Sequence, residues 1–133
     1  MSTTQPIRSK QLLHDFKEYF LTKQPNSRNY TLILIGLNTA LRINDILHLT
    51  WGDVYCTEHS RFYTHLLITE KKTEKETRIL INRELQETLL SYRKTQPSIA
   101  DTDYLFPSPR KADSPLSRYQ AYRIVRKAAE SKT

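Results

Sequence analysis

The hydrophobic pattern between Ser27 and Val54 forms two apolar segments around a short polar joint. In the first segment apolar residues occupy nearly every position, which predicts a helix buried on most sides; they are Leu32, Ile33, Leu34, Ile35 and Leu37. In the second they recur at helical spacing, which predicts another helix; they are Ile43, Ile46, Leu47 and Leu49.

Arg42 is the charged residue of this joint, and its neighbours predict how it is held. Asn44 favours the N-cap position, and Asp45 would then lie at the positive end of the helix dipole. A guanidinium is permanently charged and can bind two oxygens of a phosphate at once. The alternative is a structural arginine that pairs with Asp45 or Asp53. The residues alone leave both interpretations open.

The sequence before this stretch predicts a flexible leader and one helix. Residues 1–8 read as the leader, and Ser9 can cap the helix. Its apolar face consists of Leu12, Leu13, Phe16 and Phe20, and it ends before Pro25. Asn26 and Ser27 belong to the turn that starts the buried helix.

A hairpin is predicted after Val54, where the hydrophobic period drops towards two. Phe62 to Thr69 and Thr77 to Asn82 are rich in β-branched and aromatic residues, which favours strands. The tip, Lys71 to Glu76, is charged and lacks glycine. A loop longer than a tight two-residue turn is therefore expected.

Two further helices complete the pattern. Asn82 caps the first, which presents Leu85, Leu89 and Tyr92 on one face. Residues 97–115 form an irregular connection pinned by Tyr104, Leu105 and Phe106. A capping box at Ser117 and Gln120 opens the last helix; we expect it to bury Ala121, Ile124, Val125 and Ala128. Tyrosines expected as core or half-buried anchors are Tyr19, Tyr30, Tyr92, Tyr104 and Tyr122.

The predicted fold class is α+β and mainly α-helical, with one small antiparallel β-sheet, in a single domain over residues 1–133. Composition agrees with a soluble globular protein: 38% of residues are hydrophobic and 26% are charged. No apolar run approaches the roughly 20 residues that span a bilayer, and the N-terminus has no export signal. The single cysteine, Cys56, fits a reducing cytoplasm. The net charge of +7 favours polyanionic partners, nucleic acid first.

Three segments, in order, resemble the tyrosine recombinases, or phage integrases, over roughly residues 27–130. TALRINDILHLTWGDV, residues 39–54, resembles the first catalytic box, with Ala40 where the family usually has glycine. Lys71-Lys72-Thr73 resembles the hairpin that carries the catalytic lysine. Tyr104 to Ser108, followed by Pro115-Leu116-Ser117, resembles the segment that leads to the second half of the site.

The resemblance implies a truncated catalytic domain of the DNA breaking-rejoining type. Arg42 would grip the scissile phosphate, Lys72 would protonate the leaving 5′-hydroxyl, and Asp45 would orient the site. Lys71 and Lys75 are the rival lysines. Candidate DNA contacts are Lys71, Lys75, Arg118, Gln120 and Arg123. The implied partners are double-stranded DNA and other recombinase protomers, with no cofactor, metal, membrane or small-molecule substrate.

The second half of the family's site is not recognisable in this sequence. None of the histidines His14, His48, His59 and His65 begins a His-x-x-Arg box, and no tyrosine follows one. The histidines and Cys56 also lack metal-ligand spacing. We therefore expect this chain to be inactive alone. The alternatives are a non-catalytic DNA-binding module, a basic transcription factor with a helix-turn-helix at 39–51, and a protein-interaction domain.

Overall fold

The computed structural model describes residues 11, 14–15, 18–20, 26–39, 41–69, 73–96, 98–111 and 113–130. The named helices are α1 (Ser27–Asn38), α2 (Ile43–Leu47), α3 (Trp51–Val54), α4 (Arg83–Lys94) and α5 (Arg118–Glu130). The named strands are β1 (Tyr55–Cys56), β2 (Arg61–Phe62), β3 (His65–Thr69) and β4 (Glu76–Leu80). Within the described residues, no helix is long and apolar enough to cross a bilayer.

Helix α1 forms the centre of the hydrophobic core, as its apolar run predicts. The Asn26 side chain accepts a hydrogen bond of 2.9 Å from the Asn29 backbone N–H and so caps the helix. The six consecutive residues from Tyr30 to Ile35 are all buried. Of the helix predicted before α1, Tyr19 and Phe20 are buried, whereas Leu12, Leu13 and Phe16 lie outside the described residues.

The joint between α1 and α2 differs from the prediction in its cap. Arg42, not Asn44, is the N-cap residue of α2: its carbonyl accepts from the Asp45 and Ile46 backbone N–H groups at 2.9 and 3.1 Å. The predicted cap at Asn44 is therefore wrong. A helix that starts at Ile43 turns Ile46 and Leu47 towards the core, where both are buried. Asp45 lies in the first turn, as predicted.

The fold class is confirmed, and the β structure consists of two two-stranded antiparallel sheets among the described residues. The strand predicted from Phe62 to Thr69 is divided, so that β2 pairs with β1 and β3 with β4. Tyr63 interrupts it because its N–H donates to the Val54 carbonyl at 2.9 Å. β3 ends at Thr69 and β4 begins at Glu76, a separation longer than a two-residue turn, as expected. Glu74, in this interval, has a left-handed φ of 57°.

Helix α4 and the irregular connection pack against the core as predicted. The Asn82 side chain caps α4, and Leu85, Leu89 and Tyr92 are buried. The Tyr92 hydroxyl donates to the Leu105 carbonyl, and burial raises the pKa of Tyr92 to about 12. Phe106 is fully buried and stacks on Tyr92 with ring centroids 6.2 Å apart. The connection is therefore part of the core although it has no regular structure.

Helix α5 buries a narrower face than predicted. Ala121 and Ala128 are buried and Ile124 is half-buried. The predicted burial of Val125 and anchoring of Tyr122 are wrong, because these side chains are 36% and 51% exposed. Successive helical residues are rotated by about 100°, so the residue after a buried alanine turns away from the core. This rotation leaves Tyr122 available to a surface cleft.

The capping box of α5 gives a stability prediction. The Ser117 hydroxyl accepts from the Gln120 N–H at 3.1 Å, and the Gln120 Oε1 accepts from the Ser117 N–H at 3.2 Å. Replacing Ser117 with alanine should lower the free energy of unfolding by about 0.5–2 kcal/mol. Ser91→Ala, at an exposed position inside α4, is the control in denaturant unfolding. Equal effects of the two substitutions would contradict the cap.

Candidate functional site

A surface cleft of about 1010 Å³ opens between the α1–α2 joint, strand β3 and helix α5. Three segments distant in sequence meet in it, and each contributes polar or charged groups. The joint and the two helices after it supply Arg42, Asn44, Asp45, His48 and Asp53, strand β3 supplies Leu67, Ile68 and Thr69, and helix α5 supplies Arg118 and Tyr122.

Arg42 lies in this cleft with an exposed side chain. Its backbone is fixed by the hydrogen bonds that start α2. Within the part of the chain that the structure describes, no carboxylate lies within 4.0 Å of its guanidinium, and no hydrogen bond from that group is found. The guanidinium is therefore available to an external anion.

The two acidic groups of the cleft have different surroundings. The Asp53 Oδ2 accepts from the Thr50 N–H at 2.9 Å and from the Thr50 hydroxyl at 3.1 Å. These bonds stabilise the first turn of α3 and engage the Asp53 carboxylate within its own helix. Asp45 is half-buried in the first turn of α2, three residues after Arg42, and lines the same cleft. The structural alternative for Arg42, a pair with either carboxylate, is not present in this geometry.

The hairpin contributes the end of strand β3 to the cleft. Leu67, Ile68 and Thr69, at the end of β3, line it. Lys72, the predicted catalytic lysine, follows Thr69 by three residues, and both Lys72 and Lys71 lie outside the described residues, as does Ala40. Lys75 is exposed on the return side of the hairpin, where its backbone N–H donates to the Thr73 hydroxyl at 3.2 Å.

The candidate DNA contacts of α5 are divided between two surfaces. Arg118 lines the cleft with Arg42. Gln120 and Arg123 instead line a smaller groove of about 270 Å³ that also contains Arg28 and Lys127. The Gln120 Oε1 is occupied by the capping box, and the Arg123 guanidinium lies 5.8 Å from the Tyr119 ring centroid. Arg42, Asp45 and Arg118 thus share one site, which Gln120 and Arg123 do not line.

Sequence reasoning did not assign His48, Asp53 or Tyr122 to the site. Helical spacing could have indicated two of them. His48 follows Asp45 by three residues, and Tyr122 follows Arg118 by four. Residues at these spacings lie on one face of a helix. The approach of β3 to both helices has no local signal, because it depends on tertiary packing.

Comparison with known sequences identifies the family to which the chain belongs. The profile of the phage integrase family matches residues 5–133, and the chain belongs to that family. It is 43% identical over 129 residues to the "Probable integrase/recombinase YoeC" of Bacillus subtilis (strain 168). That alignment covers 97% of this chain and 65% of the relative, so the chain spans less than two thirds of the relative's length.

Two solved structures share the fold. The XerA recombinase superposes with a TM-score of 0.68 at 19% identity, over 98% of this chain and 42% of the recombinase. The Tn1549 transposon integrase, determined in complex with circular intermediate DNA, superposes with a TM-score of 0.58 at 20% identity. That match covers 98% of this chain and 45% of the integrase.

Proposed function

We propose that this chain serves site-specific DNA recombination, as the part of an integrase that holds the scissile phosphate. The observation that carries the proposal is the cleft in which Arg42, Asp45 and Arg118 meet the end of β3. Family membership supports the reaction class, and the complex of the Tn1549 integrase with circular intermediate DNA supports DNA as the substrate. In this reaction a tyrosine oxygen forms a bond to phosphorus while the bond from phosphorus to the 5′-oxygen breaks.

Arg42 stabilises the charge that develops during this exchange. Negative charge collects on the non-bridging phosphate oxygens in the transition state, and a fixed cation next to them lowers the barrier. The guanidinium of Arg42 is exposed and has no ion-pair partner among the described residues. It suits this role because two of its nitrogens can contact two phosphate oxygens together. Asp45, in the first turn of α2, lines the same cleft, and we assign it an orienting role in which it does not contact the negatively charged phosphate.

Lys72 supplies the proton for the leaving group. The departing 5′-oxygen is a poor leaving group as an alkoxide, and an ammonium beside it can protonate it. Lys72 follows the cleft-lining residue Thr69 by three positions, whereas Lys75 follows it by six and directly precedes β4. The shorter separation supports Lys72 over Lys75. Arg118, which lines the cleft, and Lys75, which is exposed in the hairpin, contact the DNA backbone.

The helix-turn-helix alternative fits the geometry less well. Its recognition helix would have to come from α2 or α3, which contain five and four residues. Helix α3 also buries Trp51 and Val54 in the core. A recognition helix instead presents an exposed face to the major groove. The cleft therefore favours phosphate binding over base reading by these helices.

The proposal predicts salt-dependent binding of this chain to duplex DNA. Non-specific affinity should correspond to a Kd of roughly 10⁻⁴–10⁻⁶ M at physiological salt and should fall steeply as salt rises, because binding releases condensed cations. Titration of a labelled duplex at two or more salt concentrations measures both quantities. No binding at low salt would refute the proposal and favour a protein-interaction domain.

A matched pair of variants locates the binding surface. Arg118 and Arg83 are both the first residues of their helices, but only Arg118 lines the cleft. Arg118→Gln should reduce the slope of log affinity against log salt by about one, as expected for the loss of one phosphate contact. Arg83→Gln removes the same charge and should leave the slope nearly unchanged. An equal reduction of the salt slope in both variants would indicate that the chain binds DNA through its net charge alone.

A further inference from the structure

His48 ends helix α2 and has its ring held in a defined orientation. Its Nδ1 lies 2.7 Å from the Asn44 carbonyl oxygen. A carbonyl oxygen can only accept a hydrogen bond, so Nδ1 must carry the hydrogen. This bond satisfies one of the carbonyl groups left without a partner at the end of a helix. The neutral form of His48 is therefore the tautomer whose Nε2 carries a lone pair.

The other side of the ring is also constrained. The rings of His48 and Tyr104 are nearly perpendicular, with planes at 84° and centroids 6.2 Å apart. Tyr104 is itself held by an antiparallel bridge to Thr50. Among the residues that the structure describes, none forms a hydrogen bond with Nε2. The exposed His48 side chain lines the cleft that contains Arg42, so this nitrogen is available to a bound group.

Charged groups of both signs line the cleft together with His48, and they come from several elements. Arg42 and Asp45 come from the joint and α2, and Asp53 comes from α3. Arg118 and the titratable hydroxyl of Tyr122 come from α5, and Tyr104 comes from the irregular connection. Asp53 accepts hydrogen bonds from Thr50, and Arg42 is free of carboxylate partners among the described residues. The Arg42 guanidinium therefore remains open to an anion that also reaches His48.

We infer that His48 is an additional phosphate-binding residue, which acts through Nε2 and only in its cationic form. The inference rests on the proposed function, because the bound phosphate is that of the DNA backbone. In the cation Nε2–H donates to a phosphate oxygen while Nδ1–H keeps its bond to Asn44. In the neutral ring Nε2 presents a lone pair to an oxygen that is also an acceptor, and the contact is lost.

Two substitutions at this position separate the two ring nitrogens. Asparagine places an amide N–H near the position of Nδ1, so His48→Asn can keep the bond to Asn44 but has nothing at Nε2. Glutamine places a neutral N–H near the position of Nε2, so His48→Gln keeps a donor that does not titrate. His59→Asn is the control, since His59 lies in the exposed turn before β2 and does not line the cleft.

The test is the affinity of the 133-residue chain for a labelled random-sequence duplex at about pH 6 and about pH 8, on either side of the ordinary histidine pKa of about 6.5. Between these values the wild-type chain should gain roughly tenfold more affinity at low pH than His48→Asn does. At low pH the salt slope of His48→Asn should also be smaller than that of the wild type by about one. The affinity of His48→Gln should depend less on pH than that of the wild-type chain. His59→Asn should behave as the wild type.

The outcomes distinguish the two proposals. If the wild-type chain does not bind DNA at either pH, both the function and the inference fail. If it binds but His48→Asn keeps the full pH dependence and salt slope, only the inference fails. A purely structural role for His48 would lower the melting temperature of His48→Gln without changing the salt slope, and this result would also overturn the inference.

Discussion

Replacing Arg42 with glutamine should abolish strand cleavage in a protein that joins this chain to a His-x-x-Arg box and a tyrosine nucleophile. Loss of one fixed group that stabilises transition-state charge costs on the order of a hundredfold or more in rate. Glutamine has about the length of the arginine stem but no charge, so the phosphate loses its cation while the cleft keeps its shape. Trapping of the covalent protein–DNA product on a nicked duplex measures the effect.

The control for this variant is Arg83→Gln, which removes an exposed charge outside the cleft. It should form the covalent product at the wild-type rate. DNA binding by Arg42→Gln should survive in large part, because the other basic residues continue to contact the backbone. Normal cleavage by Arg42→Gln would remove the catalytic assignment, whatever its effect on binding.

The second large effect is expected at Phe106, in the irregular connection. Phe106 is fully buried and stacks on Tyr92, and its carbonyl accepts from the Leu116 N–H at 2.7 Å. Phe106→Ala should lower the free energy of unfolding by about 3–5 kcal/mol, because it removes a ring and leaves a cavity. Domains are stable by only about 5–15 kcal/mol, so this is a large share of the total.

Tyr119→Ala is the matched control for Phe106→Ala. Tyr119 carries a ring of similar size on α5 but is 67% exposed. Its replacement should change stability by no more than about 0.5 kcal/mol, as is usual for surface positions. Denaturant unfolding of both variants gives the comparison. Similar, small losses for the two would mean that the connection does not belong to the core.

Local features of the sequence predicted most of the helical structure. The apolar run of α1 indicated burial on most sides, and the structure buries every residue from Tyr30 to Ile35. The caps of α4 and α5 were predicted from Asn82, Ser117 and Gln120, because a capping side chain bonds within its own first turn. Signals of this kind depend on neighbours a few residues away and need no knowledge of the fold.

Features that depend on distant contacts were not predictable in this way. The division of the first strand follows from the bond between Tyr63 and Val54, and the exposure of Val125 and Tyr122 follows from how α5 packs. For the site, Arg42, Asp45 and Arg118 were predicted as residues, but their meeting with β3 and His48 in one cleft was not. Periodicity shows which face is apolar, whereas packing decides which elements that face meets.

The central claim is that Arg42 serves a bound phosphate and not the stability of the fold. The measurement that tests it most directly is the melting temperature of Arg42→Gln and of the wild-type chain, each with and without duplex DNA. A ligand that binds only the folded state stabilises it, by roughly 1.4 kcal/mol at about ten times Kd.

Without DNA, Arg42→Gln should melt at the wild-type temperature or slightly above it, because a residue kept for function contributes little to stability. With DNA, the rise in melting temperature should be somewhat smaller for Arg42→Gln than for the wild-type chain, because one of several phosphate contacts is lost. A structural arginine in a buried pair would instead cost about 3–5 kcal/mol when removed. A fall on the order of 10 °C without DNA, together with a wild-type rise when DNA is added, would contradict the account.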